Sequence, residues 1–231
     1  YGTIVFAFIY LVLFGGLGNI GGVLGWSQEG QYESEMQAAN EAQEAVFARY
    51  REMDNETLIA DAEANATGQR LFANSCAMCH GSDGRGARGF PNLADNDWLY
   101  GGSFDSIMQT LENGRMGAMP VMVAGLDDKA IGELVVYVQS MSGQKADPGM
   151  AANGKKNFDM LCVACHGPEG DGNQALGAPR LNDDIWLYGG EPATIRETLT
   201  KGRNGNMPAH KDLLSEDRRR LLTAYVLSLS K

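Results

Sequence analysis

Two short motifs constrain this 231-residue chain more than any other feature of its sequence. One is CAMCH at residues 76–80, and the other is CVACH at residues 162–166. Two thiols three positions apart can form thioethers with the two vinyl groups on one edge of a porphyrin, and the histidine that follows can place a nitrogen on the iron. The motifs therefore predict two covalently attached haems c.

The two motifs use all four cysteines of the chain: Cys76, Cys79, Cys162 and Cys165. A disulfide within each pair and a zinc site shared between the pairs are the other interpretations of such spacing. Zinc accounts for the cysteine pairs but gives no reason for a histidine to follow each pair directly. The trailing His80 and His166 therefore favour haem, with the cysteines as attachment sites and the histidines as iron ligands.

From residue 66 onward the chain repeats itself, which indicates a duplication. The matched blocks are GQRLFANSCAMCHG (68–81) with GKKNFDMLCVACHG (154–167), LADNDWLYGG (93–102) with LNDDIWLYGG (181–190), GRMGAMP (114–120) with GRNGNMP (202–208), and YVQSMS (137–142) with YVLSLS (225–230). We expect two tandem domains, at 65–145 and 146–231, that fold as separate units. Each is so small that its apolar core alone would be marginal.

The duplication also points to a sixth ligand for each iron. Met119–Pro120 aligns with Met207–Pro208, whereas Met116 aligns with an asparagine and is the poorer candidate. We expect Met119 to be the sixth ligand of the first iron and Met207 to be the sixth ligand of the second. A thioether ligand favours reduced iron and closes it to outside ligands, which suits electron transfer rather than catalysis. The remaining histidine, His210, is either a substitute for Met207 or a surface residue.

The coarse pattern within each copy is all-α. Helices lead into the first cysteine of each motif, a second helix covers Ser103–Asn113 or starts at Glu191, and closing helices span 127–142 and 216–230. No alternating strand pattern is evident. The matched aromatic residues Trp98, Trp186, Tyr100 and Tyr188 could line a haem or donate to its propionates, or could belong to ordinary core packing. The matched Arg115 and Arg203 could each pair with a propionate, or could be solvated.

The first 28 residues differ from the rest, because residues 1–14 are apolar without interruption and a glycine-rich tract follows. Fourteen residues are fewer than the ~20 that cross a bilayer. A span begun upstream of Tyr1 would complete the count, so we predict a membrane anchor over 1–28, formed by the C-terminal part of a transmembrane helix and a glycine-rich exit. A signal-peptide core or a buried helix would also give this pattern.

Residues 29–64 form the third region, which we predict to be an acidic helical linker. Residues 26–65 contain ten acidic and two basic side chains, a large part of the formal charge of −10. A solvated helix is the simpler interpretation, and an acidic docking surface is the other. No basic face emerges anywhere, so we expect no nucleic-acid partner.

Each copy resembles a class I cytochrome c domain, and the whole chain resembles the diheme cytochrome c subunit of bacterial cbb3-type (C-family) haem–copper cytochrome c oxidases. The resemblance rests on FAFIYLVLFGGLGNIGGVLGW (6–26), on CAMCHGSDGRGARGFPNLADNDWLYGG (76–102), on GRMGAMP and on the second motif. It implies an all-α fold of two tandem cytochrome c domains behind a transmembrane helix. The ligands that it implies are Cys76, Cys79, His80 and Met119 for one haem, and Cys162, Cys165, His166 and Met207 for the other.

The same resemblance implies a location and a set of partners. The chain would sit in the bacterial cytoplasmic membrane, in contact with lipid, with its haem domains facing the periplasm. It would accept electrons from a donor cytochrome c and relay them, through a monohaem cytochrome c subunit, to the catalytic haem–copper subunit of a proton-pumping oxidase. The chain itself would hold no catalytic centre. An independent diheme cytochrome, a cytochrome subunit of a periplasmic dehydrogenase and a diheme peroxidase are the rival functions.

Overall fold

The computed structural model describes residues 1–16 and 20–230. Part of the glycine-rich exit, residues 17–19, therefore lies outside the described residues. The chain divides into two units, residues 1–53 and the residues from Asp54 onward, and each is described by itself. Among the described residues, no helix combines the length and the apolar character needed to cross a membrane.

The first unit consists of two helices and a small strand pair: α1 (Gly2–Phe14), β1 (Gly15–Gly16), β2 (Ile20–Gly21) and α2 (Gln28–Arg51). Strands β1 and β2 pair in antiparallel fashion. Ser27 caps α2, because its side-chain oxygen accepts a hydrogen bond of 2.9 Å from the Gly30 N–H. The predicted helical linker is thus helical as far as Arg51.

Most of the regular elements of the second unit are helices: α3 (Asn55–Ala60), α4 (Ala62–Ser75), α5 (Ala77–His80), α6 (Phe104–Asn113), α7 (Asp128–Met141), α8 (Pro148–Leu161), α9 (Val163–His166), α10 (Pro192–Lys201) and α11 (Glu216–Leu229). These bounds agree with the predicted helices to within about two residues. Ser103 caps α6 through the Ser106 N–H, and Pro192 opens α10 at a first-turn position that needs no N–H donor. The helix-rich content confirms the all-α prediction for this unit.

The helices pair across the two sequence repeats. Helix α11, at the end of the second repeat, packs against α3, α4 and α6 of the first part of the unit. Helix α7, at the end of the first repeat, packs against α8 and α10 of the second. The loop at 142–147 between α7 and α8 is short, and short loops make consecutive helices antiparallel neighbours.

Two hydrophobic cores follow from this pairing, and each combines side chains of both repeats. The first core consists of Phe72, Ile107, Leu111, Leu214, Leu222, Tyr225 and Val226. The second core consists of Val123, Ile131, Leu134, Val135, Val138, Phe158, Cys162, Ile195 and Leu199. Neither repeat therefore buries a core of its own, because the closing helix of each repeat lies in the core of the other.

Two strands also occur where the sequence suggested only loops. Strand β3 (Arg115–Met119) and strand β4 (Arg203–Met207) pair in antiparallel fashion, with Gly117 opposite Gly205 at the centre. Each strand alone lacks an alternating apolar pattern, and its partner lies in the other repeat. The strands form because the two segments run past each other, which no local pattern reveals.

Candidate haem-binding sites

The two Cys-x-x-Cys-His segments fold in the same way. In the first, Cys76 is the capping residue between the end of α4 and the single turn α5, and the N–H groups of Cys79 and His80 donate to its carbonyl at 3.1 and 3.0 Å. In the second, the N–H groups of Cys165 and His166 bond to the Cys162 carbonyl in the same pattern. All four cysteines are free thiols, so neither pair forms a disulfide.

Both histidines are buried, and a backbone carbonyl orients each of them. The Nδ1 atom of His80 lies 3.0 Å from the Pro91 carbonyl oxygen, and the Nδ1 atom of His166 lies 2.9 Å from that of Pro179. A carbonyl oxygen can only accept, so Nδ1 must carry the proton. This tautomer leaves Nε2 with a free lone pair, which is the arrangement of a metal-binding histidine with an outer hydrogen bond.

Burial shifts the pKa of three residues of the motifs: Cys76, Cys162 and His166. It raises the pKa of Cys76 and of Cys162 to about 11, and the second cysteine of each pair adds to the effect. Burial lowers the pKa of His166, and its hydrogen bond to Pro179 opposes the shift. A neutral imidazole is the form of His166 that can coordinate iron.

The candidate methionines do not lie where the sequence order suggested. Met207 packs against the first core, which Cys76 also contacts, and Met119 packs against the second core, which contains Cys162. In the structure Met207 therefore lies with the first motif and Met119 with the second, the reverse of the order expected from the sequence, and the iron that each methionine binds stays a prediction. Met116 is 85% exposed, in keeping with its rank as the poorer candidate.

The matched aromatic and arginine residues keep the same arrangement in both repeats. The Arg115 guanidinium lies over the Tyr100 ring at 4.7 Å from its centroid, and Arg203 lies over Tyr188 at 4.5 Å. Trp98 and Trp186 pack against the first and the second core, respectively. Core packing is thus shown for the tryptophans, and contact with a propionate stays a prediction for the arginines.

One buried polar atom supports the fit of a bound group. Within the described part of the chain, the Tyr100 hydroxyl is buried without a hydrogen-bond partner. A buried hydroxyl without a partner is unfavourable, and an acceptor on a bound group would satisfy it. Together with the free thiols and the oriented histidines, this hydroxyl makes the residues present compatible with haem c.

Sequence reasoning missed the two proline carbonyls and a cleft between the repeats. The two prolines themselves are visible in the sequence, since Pro91 and Pro179 occupy equivalent positions just before a matched block. The direction in which their carbonyls point cannot be predicted from the sequence. The cleft has a volume of about 490 Å³ and is lined by residues of both repeats, Arg88, Asp97 and Trp186 among them. None of the eight predicted attachment and ligand residues lines this cleft.

These features define a class of protein: a helix-rich chain with two cytochrome c-type domains, each with one thiol pair and one oriented histidine. The family model described as cytochrome c oxidase, cbb3-type, subunit III matches residues 63–138 and 149–226. The chain belongs to this family, and it is accordingly an electron-transfer subunit. The resemblance inferred from the motifs is confirmed.

Three curated relatives illustrate the match. The cbb3-type cytochrome c oxidase subunit CcoP of Rubrivivax gelatinosus is 44% identical, over 99% of this chain and 75% of the relative. Subunit FixP of Azorhizobium caulinodans is 38% identical, over 99% of this chain and 84% of the relative. Subunit CcoP of Cereibacter sphaeroides is 36% identical, over 99% of this chain and 86% of the relative. The similarity thus includes the N-terminal unit as well as the repeats.

Proposed function

We propose that this chain is a membrane-anchored diheme subunit that accepts electrons from a donor cytochrome c and relays them toward the oxygen-reducing subunit of a cbb3-type oxidase. The observation that carries the proposal is the pair of Cys-x-x-Cys-His turns, each with its histidine oriented by a backbone carbonyl, in a chain that the family model matches twice.

Different residues of each motif have different roles in binding a haem. Cys76 and Cys79 would provide two thioether attachments in one site, Cys162 and Cys165 would provide them in the other, and the Nε2 atom of the adjoining histidine would bind the iron. When bound, the haem iron changes between its ferric and ferrous states and so carries one electron. A methionine thioether bound to the iron would keep oxygen and peroxide away, so the chain would transfer electrons and hold no catalytic centre.

The N-terminal segment, residues 1–28, is proposed as the membrane anchor. The apolar side chains of α1 are exposed in the structure, and Phe8, for example, is 70% exposed. An exposed apolar helix of this kind needs lipid or another protein chain to cover it. We therefore place α1 in the bacterial cytoplasmic membrane, against lipid and the catalytic haem–copper subunit, with the haem domains on the periplasmic side near the monohaem cytochrome c subunit.

Purification of the native complex tests the proposal. Membranes washed with high salt should retain the chain, and mild detergent should release it together with haem b, copper and a monohaem cytochrome c. Mass spectrometry of the denatured chain should show two covalently bound haems, and a Cys162→Ala/Cys165→Ala variant should show one. Recovery of a chain without covalent haem, or of a diheme protein without companion subunits, would contradict the proposal.

A further inference from the structure

We propose that α2 is a docking helix, which binds a basic amphipathic helix of the oxidase chain that lies against α1. The inference rests on the proposed function and deepens it, because it assigns a contact surface to the chain and states the chemistry of the partner. Four features of the N-terminal unit, residues 1–53, lead to this proposal.

The first feature is a row of apolar side chains along one side of α2. Tyr32, Met36, Ala39 and Val46 follow one another at intervals of four, three and seven residues, and Gln43 divides the last interval into four and three. Alternating steps of three and four residues are the heptad pattern of a helix that pairs with another helix. A single polar residue in such a row specifies the register of the pairing.

The second feature is the exposure of this apolar row. Tyr32 is 64% exposed, Met36 is 41% exposed and Val46 is 51% exposed. The helix is 24 residues long and therefore extends over about 36 Å. A helix in a protein gains most of its stability from packing of its apolar face rather than from helix propensity. A second helix lying along the row would provide this packing.

The third feature is the charge beside the row, which selects the kind of partner. Residues 28–48 contain five glutamates and no lysine or arginine. Glu33 and Glu35 occupy the two heptad positions that flank the row, and no lysine or arginine among the described residues forms an ion pair with either of them. Charges at these positions attract opposite charges on the partner helix. The partner helix therefore carries lysine or arginine beside its own apolar row.

The same charge disfavours two other occupants of the row. In a second copy of α2, glutamates would face glutamates, and like charges across a helix pair repel. A membrane surface with anionic headgroups would also repel these glutamates, since helices that lie on such membranes carry lysine and arginine on their polar face. A basic helix of another protein chain is the occupant that the charge favours.

The fourth feature is the connection between α2 and α1, which identifies the chain that supplies the partner helix. The rings of Phe14, at the end of α1, and Trp26 meet edge to face with their centroids 6.0 Å apart. The Trp26 indole N–H donates to the Gln31 side-chain oxygen at 2.7 Å. The apolar row starts at the next residue, Tyr32, so a chain that lies against α1 is also the neighbour of the row.

Site-specific photo-crosslinking in the complete membrane complex tests the proposal. With p-benzoylphenylalanine in place of Met36, illumination should link this chain to a companion oxidase chain, at a peptide that contains lysine or arginine. The same amino acid in place of Glu41 should give no such product, because Glu41 follows Ala39 by two residues and lies on the opposite side of the helix. Linkage from position 36 to lipid or to a second copy, equal products from both positions, or no product would overturn the proposal.

Two matched charge reversals test the role of the glutamates. Glu35 accepts a hydrogen bond from the Gln31 amide at 2.8 Å, and Glu41 accepts one from the Gln37 amide at 2.9 Å. Glu35→Lys and Glu41→Lys therefore remove the same charge and the same kind of bond within the helix. With the photoreactive amino acid in place of Val46, Glu35→Lys should lower the yield of linked product roughly tenfold by like-charge repulsion, and Glu41→Lys should not. Equal yields from the two variants would contradict the proposed basic partner.

Haem content and subunit composition, measured on the same samples, separate this inference from the proposed function. A complex that holds two covalent haems on this chain but gives no linked product from position 36 would overturn the inference alone. A chain recovered without covalent haem, or without companion subunits, would overturn the proposed function and the inference together.

Discussion

A backbone carbonyl decides which nitrogen of His80 can bind a metal. The Pro91 oxygen accepts from Nδ1 at 3.0 Å, and the equivalent contact from His166 to Pro179 is 2.9 Å. Proline has no N–H to donate, so its residue contributes only an acceptor at this point. The motif predicts that the histidine is an iron ligand. Its tautomer depends on the proline carbonyl, and the path of the loop that places this carbonyl is seen only in the structure.

A carboxylate in the cleft between the repeats gives a prediction at the residue scale. Burial raises the pKa of Asp97, and the nearby carboxylates of Asp183 and Asp95 add to the rise, while Arg180 opposes it. The folded state therefore binds a proton more readily than the unfolded state, and the free energy of unfolding rises as pH falls through the folded pKa.

We expect Asp97→Asn to stabilise the protein at pH 7, by less than about 1 kcal/mol because the site is partly exposed and screened. The gain should shrink as pH falls towards 4, where the native carboxylate becomes protonated. Thermal unfolding at a series of pH values measures this, with the exposed Asp212→Asn as the control of equal charge change. A loss of stability at pH 7 would contradict the assigned cost of burying and crowding the charged carboxylate.

At the scale of elements, glycines set how closely the helices approach. Gly154 of α8 lies against the Glu133 carbonyl and Tyr137 of α7, whereas Gly132 of α7 faces only the Arg196 side chain, at 3.4 Å from an added Cβ. Alanine raises helix propensity at both positions, by up to about 1 kcal/mol. Only at Gly154 would the new methyl group overlap backbone.

We expect Gly154→Ala to lower the free energy of unfolding by about 1–3 kcal/mol, because overpacking outweighs the propensity gain. Gly132→Ala should leave stability unchanged or slightly raise it. Denaturant titration of both variants measures the difference. Equal behaviour of the two variants would mean that α7 and α8 do not cross at Gly154.

The elements also show what a sequence can and cannot predict. The helices were predictable because capping residues, apolar spacing and the end glycines Gly114 and Gly202 act locally. The strands at Arg115–Met119 and Arg203–Met207 were not, since their hydrogen bonds join segments from different repeats. Pairing of this kind depends on the path of the whole chain rather than on either segment.

At the scale of the whole molecule, the repeats interlock. Besides the exchanged helices, Gly89 N–H donates to the Leu187 carbonyl at 2.8 Å, and the Gln174 amide donates to the Trp98 carbonyl at 3.0 Å. The duplication could be read from the sequence, but the exchange could not. The closing helix of a repeat could pack either on the first helix of its own repeat or on that of the other repeat. Both arrangements bury the same faces of the helices, so the apolar pattern of the sequence does not distinguish them.

Interlocking predicts that the two haem regions unfold together. Phe72→Ala removes a fully buried side chain from the first core and should lower stability by about 3–5 kcal/mol. We expect one cooperative transition, with methionine ligation lost from both haems at the same denaturant concentration. Absorbance of the ferric methionine–iron band, followed beside circular dichroism, measures this. Two separate transitions, with the second haem unaffected, would show independent domains.

The position of α11 also determines the order in which the protein can mature. This helix, the last element that the structure describes, covers α4 and α6 beside the first cysteine pair. As the polypeptide is synthesised, Cys76 and His80 emerge long before Glu216–Leu229. The first pocket therefore stays open to the attachment machinery until Glu216–Leu229 has also emerged, and a chain truncated before Glu216 would leave that pocket uncovered.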